Sequence, residues 1–126
     1  MQKDLLIKIL GKEDAVKLED QVYNLRDITD EMRLNIASNM VVFEDEKFIQ
    51  GIQHELEVIA DRVKSIKDKM ELPENTVGYT NSREYIKKYL SNMNTNIEGL
   101  IKNLNPLDIK QVIYHNNMVA DLVLIY

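Results

Sequence analysis

The sequence predicts an all-α protein, a compact helical bundle of four long helices preceded by one short helix. Apolar residues recur every three or four positions over long windows, which is the spacing of one face of an amphipathic helix. The residues that interrupt helices are scarce, with four Gly and two Pro in 126 residues. This length suits one buried core, so we expect a single domain over residues 1–126.

The N-terminal part of the chain predicts one short helix and one long helix. The short helix covers residues 3–10 and ends at Gly11, because glycine commonly terminates helices. The long helix covers about residues 13–37. Its apolar stripe consists of Leu18, Val22, Leu25, Met32 and Ile36.

The third helix, predicted over about residues 45–70, has the most regular apolar pattern. It is followed by a turn or loop at residues 72–79, where Pro73 and Gly78 break the helical pattern. The apolar positions step by three or four along one face, as expected for a helix against the core. They are Phe48, Ile52, Leu56, Ile59, Val63, Ile66 and Met70.

Two asparagines are predicted to open the last two helices. Asn81 is followed by Glu84 at the spacing of a capping box. Asn105 precedes Pro106, a residue favoured at the first helical position, and Asp108 then lies near the positive end of the helix dipole. The fourth helix places Ile86, Leu90, Met93, Ile97 and Leu100 on its inner face, and the fifth Ile109, Val112, Ile113, Val119 and Val123.

Composition excludes several classes of function. The formal net charge of -5 argues against a general affinity for nucleic acid or for an anionic membrane. The chain has no cysteine, so it has neither disulfides nor a thiolate zinc site. No apolar stretch approaches the roughly 20 residues that span a bilayer. We therefore expect a soluble, cytoplasmic protein without a cofactor.

The only two histidines carry the most informative chemistry of the chain. A neutral imidazole nitrogen is a usable nucleophile near neutral pH and can accept a phosphoryl group. At 100° per residue, His54 lies about 160° from Ile52, on the exposed side of its helix. His115 lies about 60° from Val112, at the edge of the apolar face, where its ring can be half-buried. Solvated surface and core-rim packing are the ordinary roles of such positions.

A metal site is not predicted for these histidines. Two histidine ligands on one helix need a spacing of about four residues, which the chain lacks. The nearby carboxylates of Glu55, Asp61, Asp108 and Asp121 form no recognisable ligand spacing.

The surroundings of the two histidines form a pair of motifs. Acidic residues at 44–46 precede His54, and Arg62 follows it two helical turns later. Asn105-Pro106, Asp108-Ile109 and Val112 lead to His115, which lies 61 positions after His54. Over residues 13–120 this arrangement resembles the PTS regulation domain, an all-helical module of bacterial transcriptional antiterminators and activators controlled by the phosphotransferase sugar-uptake system.

The resemblance implies a regulatory protein rather than an enzyme. It implies phosphorylation of His115 and His54 by the phosphocarrier HPr or by an enzyme II B domain, with Arg62 as a phosphate contact. It also implies a homodimer whose packing, or whose binding of a partner, responds to phosphorylation in sugar-responsive transcription regulation. The family usually has Leu after the first histidine, where this chain has Glu55. We expect a stand-alone module that does not itself bind nucleic acid.

Two other functions are compatible with the sequence. The first is a small helical-bundle adaptor that binds a protein partner without phosphorylation. The apolar run at residues 122–126 is either a contact surface of the stand-alone module or the end of the last helix packed into the protein's own core. The second is an all-helical enzyme, because residues 25–30 resemble the opening helix of chorismate mutases. Such a site needs several converging cations. The arginines that could supply them are Arg26, Arg33, Arg62 and Arg83.

Overall fold

The computed structural model describes residues 1–38, 40–70 and 79–126, and these residues form five α-helices and one 3₁₀ turn. The prediction of four long helices and one short helix is thereby confirmed. The predicted turn with Pro73 and Gly78 lies outside the described residues. The helices are α1 (Lys3–Leu10), α2 (Lys12–Ser38), α3 (Glu46–Met70), α4 (Thr80–Leu104) and α5 (Ile109–Leu124), and the 3₁₀ turn Val41–Glu44 separates α2 from α3.

The four long helices form a square in which consecutive helices are antiparallel. Both α2 and α4 pack against α3 and α5, whereas α1 packs against α2. The antiparallel order is visible in cross-helix bonds. Gln53 Nε2 near the start of α3 donates to the carbonyl of Ile101 near the end of α4 at 3.0 Å. The helices α3 and α5 lie diagonally across the square, so no groove of the bundle is formed by both of them.

The apolar stripes of the helices meet in one contiguous core. The stripe predicted for α3 is buried from Ile52 to Met70, with Phe48 partly buried at its edge. Each fully buried large apolar side chain contributes about 1.5–3 kcal/mol, so this core is the main source of stability. The most completely buried side chains are Leu6, Leu18, Leu25, Met32, Leu56, Ile66, Ile86, Leu90, Met93, Ile97, Leu100 and Leu104.

The predicted starts and ends of the first helices are confirmed to within one residue. Gly11 ends α1 with a φ of 87°, which glycine adopts without steric cost, and its N–H donates to the Ile7 carbonyl at 2.8 Å. Asp45 precedes α3, and its Oδ1 accepts the N–H of Lys47 at 3.0 Å. This bond satisfies a backbone donor that has no partner inside the helix.

The cap predicted for α4 is wrong. The helix begins at Thr80, so Asn81 already lies in its first turn. Tyr79 occupies the N-cap position, its side chain makes no capping hydrogen bond, and its carbonyl accepts the N–H of Arg83 at 2.9 Å. A capping box needs Asn81 outside the helix, where its side chain could reach the N–H three residues on. The earlier start removes that geometry.

The cap predicted for α5 is also wrong. Asn105 ends α4, and Pro106, after a cis peptide bond, lies in the connecting turn. Asp108 is the N-cap of α5, and its Oδ1 accepts the N–H of Gln111 at 3.3 Å. The helix starts three residues later than predicted, at Ile109 instead of Pro106, so the aspartate takes the capping role.

Polar contacts hold both flanks of α5. On one flank Asn116, which is 1% exposed, donates from Nδ2 to the Thr29 carbonyl of α2 at 3.2 Å. On the other flank the Tyr89 hydroxyl of α4 donates to the Leu122 carbonyl at 2.6 Å. That carbonyl lies in the last turn of α5, where backbone carbonyls have no N–H partner within the helix. Burial raises the pKa of the Tyr89 hydroxyl, so it stays a donor over the physiological range.

One inward position predicted for α5 is wrong. Ile113 is 37% exposed, whereas Asn116 is buried. The buried sector of the helix is centred on Val112, Asn116 and Val119, which recur at steps of four and three. Ile113 lies outside that sector and joins the exposed side of the helix.

Candidate functional site

His115 lies in the groove between α4 and α5. Its side chain is half-buried, in agreement with its predicted place at the edge of the apolar face. The ring rests directly on the backbone of Gly99 in α4. A Cβ atom built on Gly99 would lie 2.5 Å from both Nδ1 and Cε1 of the ring. Any side chain at position 99 would therefore displace the imidazole.

A hydrogen bond to α4 orients the His115 ring. His115 Nδ1 lies 2.9 Å from Oδ1 of Asn96. The amide of Asn96 is itself oriented, because its Nδ2 donates to the Asn92 carbonyl at 2.8 Å. The atom that faces the ring is thus the acceptor oxygen, so Nδ1 must be the donor.

The tautomer selected by Asn96 leaves a lone pair on the second ring nitrogen. A neutral imidazole has one N–H, and here it is on Nδ1, so Nε2 is unprotonated. Among the described residues, no group forms a hydrogen bond with Nε2. A positioned, unprotonated ring nitrogen on a half-buried histidine is the form of imidazole that attacks an electrophile.

Tyr114 completes the surroundings of the ring. Its ring meets that of His115 edge to face, with centroids 5.0 Å apart and planes at 78°. Such pairs are mildly attractive and restrict rotation. With Gly99 behind it, Asn96 at Nδ1 and Tyr114 beside it, the imidazole has one defined orientation.

The face of α4 beneath His115 carries amides and glycine in place of apolar residues. Asn92, Asn96, Gly99 and Asn103 recur at steps of four, three and four, so they share one side of the helix. Asn103 Nδ2 donates to the Gly99 carbonyl at 2.7 Å, one turn back, as Asn96 does to Asn92. Sequence reasoning missed this stripe, although its helical spacing was visible beside the apolar stripe of the same helix.

His54 lies elsewhere, in a groove of about 350 Å³ between α2 and α3. Its side chain is exposed, as predicted. Arg62 lines the same groove, so the two residues of the first motif share one surface. Three carboxylates, from Asp27, Glu31 and Glu55, also line it. The groove therefore carries more negative than positive charge.

The two histidines are not brought together. His54 faces the groove between α2 and α3, and His115 faces the groove between α4 and α5, on the opposite side of the square. They lie at a similar height, because the part of α4 from Gly99 to Ile101 meets His115 on one side and Gln53, next to His54, on another. Two separate sites result, each with one histidine.

Neither histidine has the neighbouring side chains that a metal centre would need. Within residues 1–38, 40–70 and 79–126, no three His, Asp or Glu side chains are grouped so that they could hold a metal ion. Over the same residues, no helix has the length and apolar character needed to cross a membrane.

The chain was compared with family models, with characterised proteins and with solved structures, and nothing matched it. Its function is therefore inferred from the positions and chemistry of its own residues, among which His115 and its three neighbours form the best-defined site.

Proposed function

We propose that the protein is a regulatory module that accepts a phosphoryl group on Nε2 of His115. The donor is a phosphocarrier such as HPr or an enzyme II B domain, as the resemblance to PTS regulation domains implies, and the role is in sugar-responsive transcription regulation. The observation that carries the proposal is the bond from His115 Nδ1 to Asn96 Oδ1, because it leaves Nε2 unprotonated.

The transfer requires no group beyond the ring and the donor. The lone pair of Nε2 forms the new bond to phosphorus, and the electrons of the breaking bond between phosphorus and the donor's side-chain atom return to that atom. The Nδ1 proton stays on the ring throughout. Asn96 Oδ1 accepts that proton's hydrogen bond and stabilises the positive charge that develops on the imidazole.

His115 is a better acceptor than His54 on electrostatic grounds. A phosphoryl group adds about -1.5 to -2 charge at pH 7. At His54 that charge would share a groove with Asp27, Glu31 and Glu55, against the single cation of Arg62. At His115 the neighbours on α4 are uncharged amides. His54 with Arg62 is the other acceptor that the resemblance implies, but the carboxylates of its groove oppose a dianion there.

The proposed consequence is a change in partner binding or in self-association. The dianion would lie at the groove between α4 and α5, close to Tyr114, which is 55% exposed on the outer side of α5. Charge placed beside an exposed apolar surface changes what that surface binds.

Phosphotransfer in vitro tests the proposal. The full chain is incubated with phosphoenolpyruvate, enzyme I and HPr, or with an enzyme II B domain, and its intact mass is measured. We expect an acid-labile gain of one phosphoryl group that is lost in His115→Ala and kept in His54→Ala. Asn96→Leu, which keeps the size of the side chain and removes the acceptor, should slow transfer, because the bond that keeps the proton on Nδ1 is lost.

Circular dichroism of each variant verifies folding before the mass measurement. A gain that persists in His115→Ala would refute the choice of acceptor. The absence of any gain with every carrier would refute the phosphorylation itself.

A second candidate function is a protein-interaction adaptor without phosphorylation. It is favoured by the apolar side chains that α5 exposes, among them Leu124 at 75% exposure. Under this alternative the His115 contacts serve only to hold α5 on α4.

A further inference from the structure

The groove between α2 and α3 has the size and the floor of a small-molecule site. We call it the His54 groove. Its volume of about 350 Å³ is within the range of pockets that take small organic ligands. Its floor is apolar, because it is lined by Ile28 and Ile59, which are 5% and 3% exposed, and by the half-buried Val58. An apolar chain placed in the groove would therefore contact carbon atoms of both helices.

The polar side chains of the His54 groove have no partners in the described part of the protein. Within residues 1–38, 40–70 and 79–126, none of them forms an ion pair or a hydrogen bond. Farther along the same two helices, Lys69 of α3 is paired with Asp14 of α2 at 3.1 Å. The charges of the groove, by contrast, are available to a ligand. Its polar side chains are Asn24, Asp27, Glu31, His54, Glu55 and Arg62.

The antiparallel order of α2 and α3 sorts these side chains by charge. The pair of Lys69 and Asp14 sets the register, in which each step forward along α3 matches one step back along α2. Glu31 of α2 is then level with the turn of α3 that precedes Glu55. Along the α3 axis, Arg62 lies about 10 Å beyond Glu55 and about 15 Å beyond the level of Glu31. The groove thus has an acidic end and a cationic end, with the apolar floor between them.

We infer that the His54 groove binds a small aliphatic zwitterion, a molecule whose ammonium group and carboxylate are separated by a short chain of methylene groups. The ammonium group lies at the carboxylates of Glu31 and Glu55. The chain rests on Val58 and on the rest of the apolar floor. The carboxylate accepts hydrogen bonds from the guanidinium of Arg62 and from the amide of Asn24, which the register places level with the preceding turn.

The length of the groove suits a chain of five methylene groups. When extended, this chain separates the ammonium nitrogen from the carboxylate carbon by about 7.5 Å. One hydrogen bond of about 3 Å at each end extends the span to about 13 Å. That span falls between the two axial separations of Arg62 from the glutamates.

Ligands with charge of one sign fit the groove less well. An anion of the same length would place charge beside the glutamates and beside Asp27, which lines the acidic half of the groove. A diamine would place its second ammonium group beside Arg62. Each unfavourable pair of like charges selects against that ligand, so the charge pattern specifies a zwitterion.

This inference does not rest on the proposed phosphorylation of His115. The His54 groove and the groove of His115 lie on opposite sides of the square. Binding is measured on the unmodified protein, so each proposal can fail without the other.

Titration with three probes of equal chain length tests the inference. The full chain, labelled with ¹⁵N, is titrated with 6-aminohexanoate, hexylamine and hexanoate, and backbone amide shifts are recorded by NMR. We expect saturable shifts at the His54 groove with 6-aminohexanoate, with a dissociation constant of about 1 mM or lower. Hexylamine and hexanoate should each bind about threefold or more weakly, because each lacks one of the two charged contacts.

Charge-neutralising variants assign the two ends of the groove. Arg62→Gln should weaken 6-aminohexanoate about threefold or more and leave hexylamine unchanged, whereas Glu55→Gln should weaken both ligands. Both side chains are exposed, and circular dichroism verifies that the variants fold. Glu57→Gln is the matched control, because Glu57 is exposed on the same helix about 160° around from Glu55.

Three results would overturn the inference. The first is the absence of saturable shifts with 6-aminohexanoate. The second is binding of hexylamine or hexanoate as tight as that of the zwitterion. The third is a dissociation constant that Arg62→Gln and Glu55→Gln change no more than Glu57→Gln does.

Discussion

At the scale of single residues, two helical glycines differ only in what surrounds them. A Cβ on Gly51 of α3 meets nothing within 4 Å, whereas a Cβ on Gly99 of α4 meets the His115 ring. The first glycine costs the helix conformational entropy without any packing benefit. Gly99, which has no side chain, is what allows the His115 ring to lie against the α4 backbone.

Alanine substitution at the two glycines should have opposite effects. We expect Gly51→Ala to raise the free energy of unfolding by about 0.5–1 kcal/mol, because it removes only backbone entropy of the unfolded chain. We expect Gly99→Ala to lower it by about 1–3 kcal/mol, because the imidazole must leave its place. Urea denaturation gives both values. Equal stabilisation by the two changes would mean that the ring does not rest on Gly99.

Gly99→Ala should also alter the histidine itself. Displacing the ring breaks the bond between Nδ1 and Asn96, so the proton is no longer confined to Nδ1. Nitrogen chemical shifts of the imidazole distinguish the two neutral tautomers. We expect a single Nδ1–H tautomer in the original chain and a mixture in the variant, with Gly51→Ala as the unchanged control.

At the scale of elements, the sequence pattern predicts where each helix lies, but it does not predict the residue at which the helix begins. Apolar periodicity located all five helices, because each long helix carries a stripe that only a helical spacing brings to one side. At α4 the residue before the helix is Tyr79, whose side chain makes no capping bond, so the predicted cap does not exist. At α5 the cap was misplaced because Asn105 and Asp108, both able to cap, lie three positions apart. The path of the connection chooses between them.

Substitution of the two candidate caps of α5 should show which one acts. Asp108→Ala removes the carboxylate that accepts the Gln111 N–H and should cost about 1 kcal/mol of stability. Asn105→Ala, at the residue the sequence favoured, should change stability by less than about 0.5 kcal/mol. Thermal denaturation of the two variants measures the difference. A larger loss at position 105 would contradict the observed cap.

The candidate site was only partly predictable for a related reason. The exposure of His54 and the half-buried position of His115 follow from the angle of each residue around its own helix. The roles of Asn96 and Gly99 depend on how α4 and α5 are set against each other, which no single helical pattern determines. Likewise, the separation of the two histidines into opposite grooves follows from the order of the helices around the square.

At the scale of the whole molecule, two tyrosines make stability depend on alkaline pH. Burial raises the pKa of Tyr89 above its ordinary value. Burial, and then the carboxylate of Glu19, raise the pKa of Tyr126 to about 12. Both groups ionise near pH 10 when the chain is unfolded. Their contribution is therefore complete below about pH 10 and is lost as pH rises towards the raised values in the folded chain.

Replacement of Tyr89 should change the shape of this profile. At pH 7, Tyr89→Phe should lower the free energy of unfolding by about 1–3 kcal/mol, because the buried Leu122 carbonyl loses its donor. Above pH 10 the stability of the variant should fall less steeply than that of the original chain. Urea denaturation between pH 7 and pH 12 measures both, with the exposed Tyr114→Phe as control. Parallel profiles would show that the folded chain does not resist ionisation of Tyr89.

The contact between His115 and Gly99 also offers a way to find related proteins where overall similarity is too low to detect. A chain that shares this site must keep glycine, or leave equivalent space, on one helix at the point where the next helix carries the histidine. It must also keep an amide three positions before that glycine. The pattern Asn-x-x-Gly on one helix, with His sixteen positions after the glycine on the next, is therefore a signature that can be sought in any helical bundle.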